Sequence, residues 1–396
     1  MCRYFKQLSI FTIVALYSLA CLPLVFSTSE SIAAPPQKGW TSLFSDSNYG
    51  GPNGVVNSVL EYNNALIVAG EFSSVGGLLT GTTDTNNIAA FDGSMWHAID
   101  NGITGEEAVI HAMAVYDGDL IVAGKFETAG STAANNIAKW NSWTAGWEPL
   151  GLGLGGDDYS EVYALYVFDG ELYAGGSFSE AGTITTDNIA KWDGEDWHAV
   201  GSGRPGMVYC FTEWDGMLVA GGGFTAAYPT SSIAYLVDGT YWRNFGFVAV
   251  VRSLTTIDYE DQEGVLMAGG QSFPSPDTVE GNLWYYNSGD WLEFEGGIGR
   301  EDTYTAKVNQ VLFYDDKVIV TGDFHRVGEE ELYIDGIAYW QKKWNKLGDG
   351  LGAEGIALFV DENKKTLYVG GDIWYTDDIL TENLGQYIFR TTPPGR

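Results

Sequence analysis

The sequence is poor in basic residues. The 396-residue chain contains 20 Lys and Arg against 52 Asp and Glu, which gives a formal net charge of −32. Such a surface repels nucleic acid and anionic membrane headgroups, so neither is expected as a partner. We expect the carboxylates to form a solvated exterior. The alternative is that they attract cations, Ca²⁺ included, or a basic partner protein.

Residues and motifs that carry catalysis are scarce as well. Four His occur, at His97, His111, His198 and His325. No His-x-x-x-His or Cys-x-x-Cys pair provides a local zinc site. The chain also lacks a Gly-x-Ser-x-Gly nucleophile elbow and a phosphate-binding loop. His97 and His198 follow a recurring Trp in equivalent positions, which indicates a structural role. We therefore expect a protein without catalytic activity.

Calcium is the one cofactor that the acidity of the chain suggests. Asp117 and Asp119 lie close together in sequence, as do Asp157 and Asp158, but no twelve-residue Asp-x-Asp-x-Asp-Gly loop with a closing Glu is present. Tight Asp-Gly turns account for most of these carboxylates. We expect no cofactor, with Ca²⁺ as the alternative.

Cysteine is nearly absent. Two of the three cysteines, Cys2 and Cys21, lie in the N-terminal segment, and Cys210 stands alone in the rest of the chain. Other copies of the repeat described below have Ala or Ser at the position of Cys210, so we interpret it as a small buried side chain. A secreted protein can do without disulfides when its apolar core is large.

The first 33 residues have the features of a secretory signal peptide. Two basic residues precede the largely apolar stretch Leu8–Phe26, and Ser31 and Ala33 supply the small side chains expected before a cleavage site. Cleavage would deliver the protein to the extracellular space or the periplasm, with no insertion into the membrane. Retention of the segment as an N-terminal membrane anchor is the alternative.

What the chain has in abundance is one repeated pattern. The clearest copy covers Val162–Phe178 and Asp187–Gly201. Other copies lie at Val56–Phe72 with Asn86–Ile99, Ile110–Phe126 with Asn135–Leu150, Val208–Phe224, Val251–Phe273, Val308–Phe324 and Ile356–Ile373. A Phe recurs every 46 to 54 residues up to Phe324, close to the roughly 40–50 residues of a four-stranded propeller blade.

Each copy has the pattern of antiparallel β-strands joined by tight turns. The apolar runs Ala114–Tyr116 and Leu120–Ala123 flank Asp117-Gly118. Asp-Gly is the strongest short hairpin signal, because both turn positions need positive φ. Further turns of this kind precede the fourth strand at Asp92-Gly93, Asp193-Gly194 and Asp238-Gly239. Sustained helical periodicity is absent after residue 40, so we expect almost no helix.

The two ends of the chain complement each other. The last copy stops near Tyr387–Arg390 without a final Trp strand, and Gly39–Leu43 has the pattern of that missing strand. We expect Trp40–Leu43 to pair with the strand near Gln386–Phe389. Residues 34–396 would then form one domain, an all-β, seven-bladed β-propeller of four-stranded antiparallel blades. The N-terminal strand would close the ring and leave no exposed strand edge.

The repeat resembles those of known propellers. Its most regular copy reads Leu172-Tyr-Ala-Gly-Gly176 and then Ala190-Lys-Trp-Asp-Gly-Glu-Asp-Trp197. This is similar to kelch-type repeats, to the central domain of galactose-oxidase-like proteins and to the repeats of cortical polarity-marker proteins. The resemblance covers nearly all of residues 34–396 and implies a propeller without fixing a function. Galactose-oxidase-type copper chemistry would need a Tyr crosslinked to Cys, whereas Cys210 falls on a blade strand.

The expected ligand site lies on the face that carries the long connections. Binding and catalytic residues are often found on long loops that a rigid scaffold holds in position. One position near the start of each innermost strand should open onto that face, and it holds Asn57, His111, Tyr163, Tyr209, Arg252, Asn309 and Ile356. The first six are the predicted ligand-binding residues, because a position that varies while its scaffold repeats is where a ring of blades would hold a ligand. The alternative is that these groups only line a hydrated channel.

These features favour a binding function. We expect a secreted, monomeric binding or scaffold protein that recognises a protein or a glycan, since Tyr combines an apolar face with a hydrogen-bonding tip. The alternative is a secreted propeller enzyme that acts on carbohydrate as an oxidase, lyase or glycosidase. A hydrolase would need two converging carboxylates. Glu61 and Glu213 occupy equivalent inner-strand positions and are the candidate pair.

Overall fold

The structure is a computed structural model. It describes residues 39–41, 43, 50–76, 82–201, 206–223, 232–247, 249–259, 262–271, 281–300, 306–330, 332–373, 375–376 and 379–389. The chain divides into two units, Met1–Gln37 and Lys38–Arg396, and all the described residues belong to the second. The expected signal peptide lies outside the described residues, as do Phe224 and Phe273 of the repeat. Within the described ranges, no helix has the length and hydrophobicity needed to cross a membrane.

The described residues of the second unit include seven four-stranded antiparallel sheets, which we number 1 to 7 in chain order. Sheet 1 contains Val55–Tyr62, Ala65–Glu71, Ile88–Phe91 and Trp96–Ala98. Sheet 2 contains Val109–Tyr116, Asp119–Lys125, Ile137–Asn141 and Gly146–Pro149. Sheet 3 contains Glu161–Phe168, Glu171–Ser177, Ile189–Trp192 and Trp197–Ala199. In each sheet the strands are called first to fourth in this order.

The next three sheets repeat this arrangement. Sheet 4 contains Met207–Trp214, Met217–Gly223, Ile233–Val237 and Tyr241–Asn244. Sheet 5 contains Val250–Tyr259, Gln262–Gln271, Leu283–Asn287 and Asp290–Glu293. Sheet 6 contains Lys307–Tyr314, Lys317–Asp323, Ile337–Trp340 and Trp344–Lys346. The prediction of an all-β fold made of four-stranded antiparallel sheets is confirmed, and this arrangement is compatible with a propeller-like fold.

Sheet 7 is completed by the N-terminal strand. Its first three strands are Gly355–Asp361, Thr366–Gly371 and Leu384–Ile388, and its fourth is Gly39–Thr41. Trp40 lies opposite Tyr387 and Thr41 opposite Gln386 in an antiparallel register. The predicted pairing of the two chain ends is therefore confirmed at these residues.

Short ribbons form on the long connections. Pairs of two-residue strands occur at Ser74–Val75 with Thr83–Asp84 and at Tyr375–Thr376 with Ile379–Leu380. Three-stranded ribbons are formed by Ile103–Thr104, Thr128–Ala129 and Thr132–Ala133, by Leu154–Gly155, Glu180–Ala181 and Ile184–Thr185, and by Ile298–Gly299, Arg326–Val327 and Leu332–Tyr333. Each three-stranded ribbon joins the segment before a sheet to the connection between that sheet's second and third strands. These connections are thereby ordered by main-chain hydrogen bonds.

The apolar core lies between consecutive sheets. The described residues form seven buried clusters, each of which combines side chains from two sheets that follow each other in the chain, and one cluster joins sheets 7 and 1. The second strands show why. In sheet 1, Ile67 packs towards sheet 2 whereas Leu66 and Val68 pack towards sheet 7, because successive side chains of a strand point to opposite faces. The continuous apolar run of each second strand therefore packs against both neighbouring sheets.

A recurring Trp of the fourth strand makes a hydrogen bond towards the preceding sheet in six of the seven sheets, whereas in sheet 5 the indole N–H of Trp291 has no hydrogen-bonding partner among the described residues. The indole N–H of Trp197 donates to the carbonyl of Leu150 at 3.0 Å, and that of Trp242 donates to Val200 at 3.1 Å. The same bond is made by Trp96, Trp147 and Trp344. Trp40 donates to Leu347 at 2.9 Å, so the N-terminal strand supplies the bond that sheet 7 would otherwise lack.

A recurring Asn makes the complementary contact to the following sheet. Asn136 has positive φ, accepts from the N–H of Phe126 at 2.9 Å, and donates to the carbonyl of Leu154 at 2.8 Å. Asn383 of sheet 7 donates in the same way to Pro52, ahead of sheet 1, at 2.9 Å. Asn tolerates the left-handed conformation better than most residues, which explains its place before the third strand.

The tight turns follow the sequence in part. Asp117 and Gly118 both have positive φ, as predicted for an Asp-Gly hairpin, and Asp238-Gly239 shows the same geometry. The expected turns at Asp92-Gly93 and Asp193-Gly194 differ, because only the Gly has positive φ. There the Asp carboxylate accepts hydrogen bonds from main-chain N–H groups two and three residues on. These connections are therefore Asx-type turns.

We predict that Trp40→Ala destabilises the fold. The Trp40 side chain is 5% exposed and donates across the boundary between sheets 6 and 7. Loss of a buried Trp costs about 3–5 kcal/mol, which urea denaturation should show as a lower free energy of unfolding. Trp143, which is 94% exposed, provides the matched control, and Trp143→Ala should be nearly neutral. Equal stability of the two variants would contradict the role given to the N-terminal strand.

Candidate functional site

One cavity brings the first strands of all seven sheets together. It has a volume of about 660 Å³ and includes all seven sequence-predicted positions in its lining, namely Asn57, His111, Tyr163, Tyr209, Arg252, Asn309 and Ile356. All seven side chains are half-buried. Binding of a ligand by these residues stays a prediction, whereas their placement around a single cavity is observed.

Each of these positions is the extra residue of a β-bulge. In sheet 3, Val162 lies opposite Gly176 and Ala164 lies opposite Gly175, so Tyr163 has no partner on the second strand. The same register shift occurs at the corresponding position of the other six first strands. A bulge re-aims the side chain of its unpaired residue. We call the seven positions the bulge residues and the space that they line the bulge cavity.

A Gly on the second strand makes room for each bulge. A Cβ atom on Gly176 would overlap with the carbonyl oxygen of Glu161, and Gly70, Gly124, Gly270 and Gly322 are crowded in the same way by the start of their own first strands. This recurring Gly lies two residues before the Phe of the repeat in most copies and three residues before Phe273, and it is therefore required by the backbone geometry. This signal could have identified the bulges from the sequence.

Four bulge residues of sheets 2 to 5 form a continuous row. The ring centroids of His111 and Tyr163 are 5.1 Å apart, and those of Tyr163 and Tyr209 are also 5.1 Å apart. The guanidinium carbon of Arg252 lies 5.7 Å from the centre of the Tyr209 ring, within cation–π distance. We call these four side chains the aromatic row. It gives the cavity one wall of ring surfaces that ends in a positive charge.

The other side of the cavity carries amides and a carboxylate. Asn309 donates to a carboxylate oxygen of Glu354 at 2.8 Å and to the carbonyl of Gly355 at 3.0 Å. Asn57 donates to the carbonyl of Ile110 at 3.0 Å. Each of these bonds reaches the neighbouring sheet, so the amide orientations are fixed by contacts between sheets.

Glu161 supports the start of the aromatic row. A carboxylate oxygen of Glu161 lies 3.2 Å from Nε2 of His111. This hydrogen bond lowers the pKa of the Glu161 carboxyl, against the opposing effect of its burial. Burial and the neighbouring Glu161 carboxylate together raise the pKa of Tyr163, so Tyr163 is a neutral phenol at physiological pH. Glu161 and Glu354 were missed by the sequence analysis. Each precedes a bulge residue by two positions, the spacing that places two side chains on one face of a strand.

Arg252 has no hydrogen-bonding partner among the described residues. Its Nε atom is buried without a hydrogen bond, and no ion pair to Arg252 occurs in the described part of the chain. Arg300 and Arg326 differ, because Arg300 pairs with Asp323 and Arg326 donates to the carbonyl of Arg300. The bulge cavity therefore contains a guanidinium whose donors make no hydrogen bond to the described residues.

Cys210 also lines the bulge cavity. It is half-buried rather than fully buried as the sequence suggested, because its small side chain follows a bulge residue on the cavity wall. Desolvation raises the pKa of its thiol. The thiol is therefore protonated at neutral pH and is a poor nucleophile.

The carboxylates proposed for the enzyme alternative lie elsewhere. Glu61 and Glu213 are not among the residues that line the bulge cavity. Glu213 is exposed, and Glu61 lies 4.0 Å from the Lys364 ammonium. They fall near the end of their strands that is remote from the bulges, so the cavity does not bring this pair together.

The two remaining His candidates lie on fourth strands, beside the Asp turns that precede them. His97 and His198 each contact an Asp carboxylate five residues earlier at 2.7 Å, which confirms that they are equivalent positions of the repeat. Among the described residues, no three His, Cys, Asp or Glu side chains form a group suited to a metal ion. The Ca²⁺ alternative stays an untested prediction.

Comparisons with known proteins provide information on the fold alone. No protein-family model and no curated protein matches the sequence. The structure is similar to the extracellular domain of a hybrid two-component system from B. thetaiotaomicron, with a TM-score of 0.55 and 9% identity over 90% of this chain and 40% of that one. A chain of the mitotic checkpoint complex gives a TM-score of 0.52 and 13% identity, over 94% of this chain and 100% of that one. At such identities the similarity carries no information on function.

We predict that Gly176→Ala destabilises the protein by about 1–3 kcal/mol, the usual cost of overpacking. The added methyl group would overlap with the carbonyl of Glu161 and force the Tyr163 bulge to move. Gly146→Ala is the matched control, because a Cβ atom there would meet Thr144 only at 3.7 Å. Urea denaturation of both variants measures the difference, and a Gly176→Ala variant as stable as the control would refute the bulge geometry.

Proposed function

We propose that the seven sheets are the blades of a β-propeller of the kelch-like kind, closed by the N-terminal strand. The proposal is supported by the apolar clusters, which join every sheet to the next and sheet 7 to sheet 1. The bond from Asn383 to Pro52 and the pairing of Trp40 with Tyr387 support closure as well. Such a ring would give the bulge residues a rigid frame.

The protein is, in this proposal, a secreted, non-catalytic binding or scaffold protein. It recognises a protein or glycan ligand through the bulge cavity. One observation carries the proposal: seven side chains of five residue types, one from each sheet, occupy the same structural position and line one cavity of about 660 Å³. This volume lies within the roughly 300–1,000 Å³ that is usual for ligand pockets.

The row of bulge side chains argues against a channel that holds only water. Tyr163 and Tyr209 present ring surface to the cavity, and such surface contributes binding energy mainly when a ligand covers it. Arg252 keeps a half-buried charge without a hydrogen-bonding partner among the described residues, an arrangement that costs folding free energy. Both features are accounted for if the cavity is shaped for a ligand.

The experiment is a glycan array and a pull-down with the purified protein, followed by titration of any ligand found. We predict that Tyr163→Ala with Tyr209→Ala weakens binding by ~2 kcal/mol or more, the usual effect of losing buried aromatic contacts. The melting temperature should change little, since both side chains are half-buried at the cavity.

Tyr241→Ala is the matched control. Tyr241 is 47% exposed on a fourth strand, so its loss should leave affinity unchanged. Unaltered affinity of the double variant, or a ligand that maps to the hairpin turns at the opposite ends of the strands, would overturn the proposal. Turnover of a sugar by the purified protein would instead favour the enzyme alternative.

A further inference from the structure

Arg252 defines the chemistry of the bulge cavity. Its guanidinium is the one side chain in the lining with a permanent positive charge. It lies beside the Tyr209 ring and makes no hydrogen bond or ion pair to the described residues. A guanidinium fork matches the two oxygens of a carboxylate. Since the chain carries 52 Asp and Glu, a guanidinium without a carboxylate partner among the described residues indicates a site for a ligand anion.

The surrounding charges limit that anion to a single negative charge. Glu354 lines the same cavity, and Glu161 lies against its aromatic row. The net charge of −32 adds a long-range repulsion of anions. A phosphate dianion or a polyanion would be repelled by these carboxylates, and the single positive charge of Arg252 would not offset that repulsion. A monocarboxylate is the anion that the site accommodates.

The remaining groups suit a ring that carries hydroxyls. The amide N–H groups of Asn57 and Asn309 already donate to Ile110, Glu354 and Gly355. Their side-chain oxygens accept no hydrogen bond from the described residues and are available as acceptors. Sugar hydroxyls are donors that fit such acceptors. The C–H face of a pyranose can pack on Tyr163 and Tyr209, whose rings lie 5.1 Å apart.

We propose that the bulge cavity binds a uronic acid, with its carboxylate on Arg252 and its ring against the two Tyr. This rests on the proposed function and narrows it to one ligand class. The same chemistry is offered by a free hexuronate and by a single uronic residue within a glycan. The volume of the cavity is sufficient for either, so both are tested.

The test is calorimetric titration with galacturonate, glucuronate and a disaccharide that carries one uronic residue. Galactose, glucose and the methyl esters of both uronates serve as neutral counterparts. We expect at least one uronate to bind, and its methyl ester to bind about tenfold or more weakly, the effect of losing one charge-assisted hydrogen-bonded pair. Tighter binding of the disaccharide than of the monosaccharides would identify the glycan as the source.

Arg252→Gln should weaken uronate binding by about tenfold or more. Arg243→Gln removes the same charge from an exposed position on the fourth strand of sheet 4 and should have no effect. The comparison of acid with ester uses the unaltered protein, so the proposal can be tested even if the Arg252 variant folds poorly.

Three results would overturn this inference. Equal affinity for acid and ester, or for wild type and Arg252→Gln, would show that the site does not select a carboxylate while leaving the proposed binding function intact. Absence of binding to every uronate tested would exclude the ligand class. Arg252-dependent binding of an acidic peptide without any sugar binding would assign the cavity to a protein ligand. Failure of the Tyr163 and Tyr209 variants to affect any ligand, or a ligand that maps to the hairpin turns, would remove the proposed function as well.

Discussion

The arrangement of the sheets depends on the contacts between each sheet and the next. Every second strand buries side chains towards two neighbours, so no sheet has a core of its own. The Trp indole bonds to the preceding sheet and the Asn amide bonds to the following one fix how the apolar faces meet. A single sheet of this kind would leave two apolar faces exposed to water. The stability of each sheet therefore depends on its neighbours. The pairing of the N-terminal strand in sheet 7 belongs to the same set of stabilising contacts.

The candidate site is a consequence of the same repetition. Each sheet carries a bulge at one place on its first strand, and a Gly on the second strand makes the bulge sterically feasible. The bulge residue is not needed for the ladder, so its identity is free to vary without loss of the strand pairing. Seven variable side chains on seven fixed positions give the cavity its mixed chemistry, with aromatic rings and Arg252 on one side and Asn309 with Glu354 on the other.

Much of the fold and of the candidate site could be predicted, because the sequence features that indicate them recur in successive copies of the repeat. The interval of the repeat gave the number and type of sheets, and the missing final strand of the last copy gave the partner of Trp40. Comparison of the copies identified the positions of all seven bulge residues, because this one position varies among the copies while the pattern around it is repeated. The Asp-Gly turn at Asp117 followed from the positive φ that both of its residues need.

Other features could not be predicted, because they depend on how two sheets meet. The contact between His111 and Glu161 joins sheets 2 and 3 across 50 residues of sequence. That Arg252 has no hydrogen-bonding partner among the described residues is visible only when its surroundings are known. The turns at Asp92 and Asp193 were misassigned, since the Asp-Gly pair does not reveal that the carboxylate caps the following N–H groups. Cys210 was expected to be buried, and the bulge beside it places it on the cavity wall.

The N-terminal strand completes sheet 7 and thereby connects the last sheet to its neighbours. Backbone hydrogen exchange tests this role most directly. The amides of residues 39–41 that pair with 386–388 should exchange as slowly as those of the first and second strands of sheet 3, because all of them should open only in global unfolding. Rapid exchange of residues 39–41 while sheet 3 remains protected would contradict this role of the N-terminal strand.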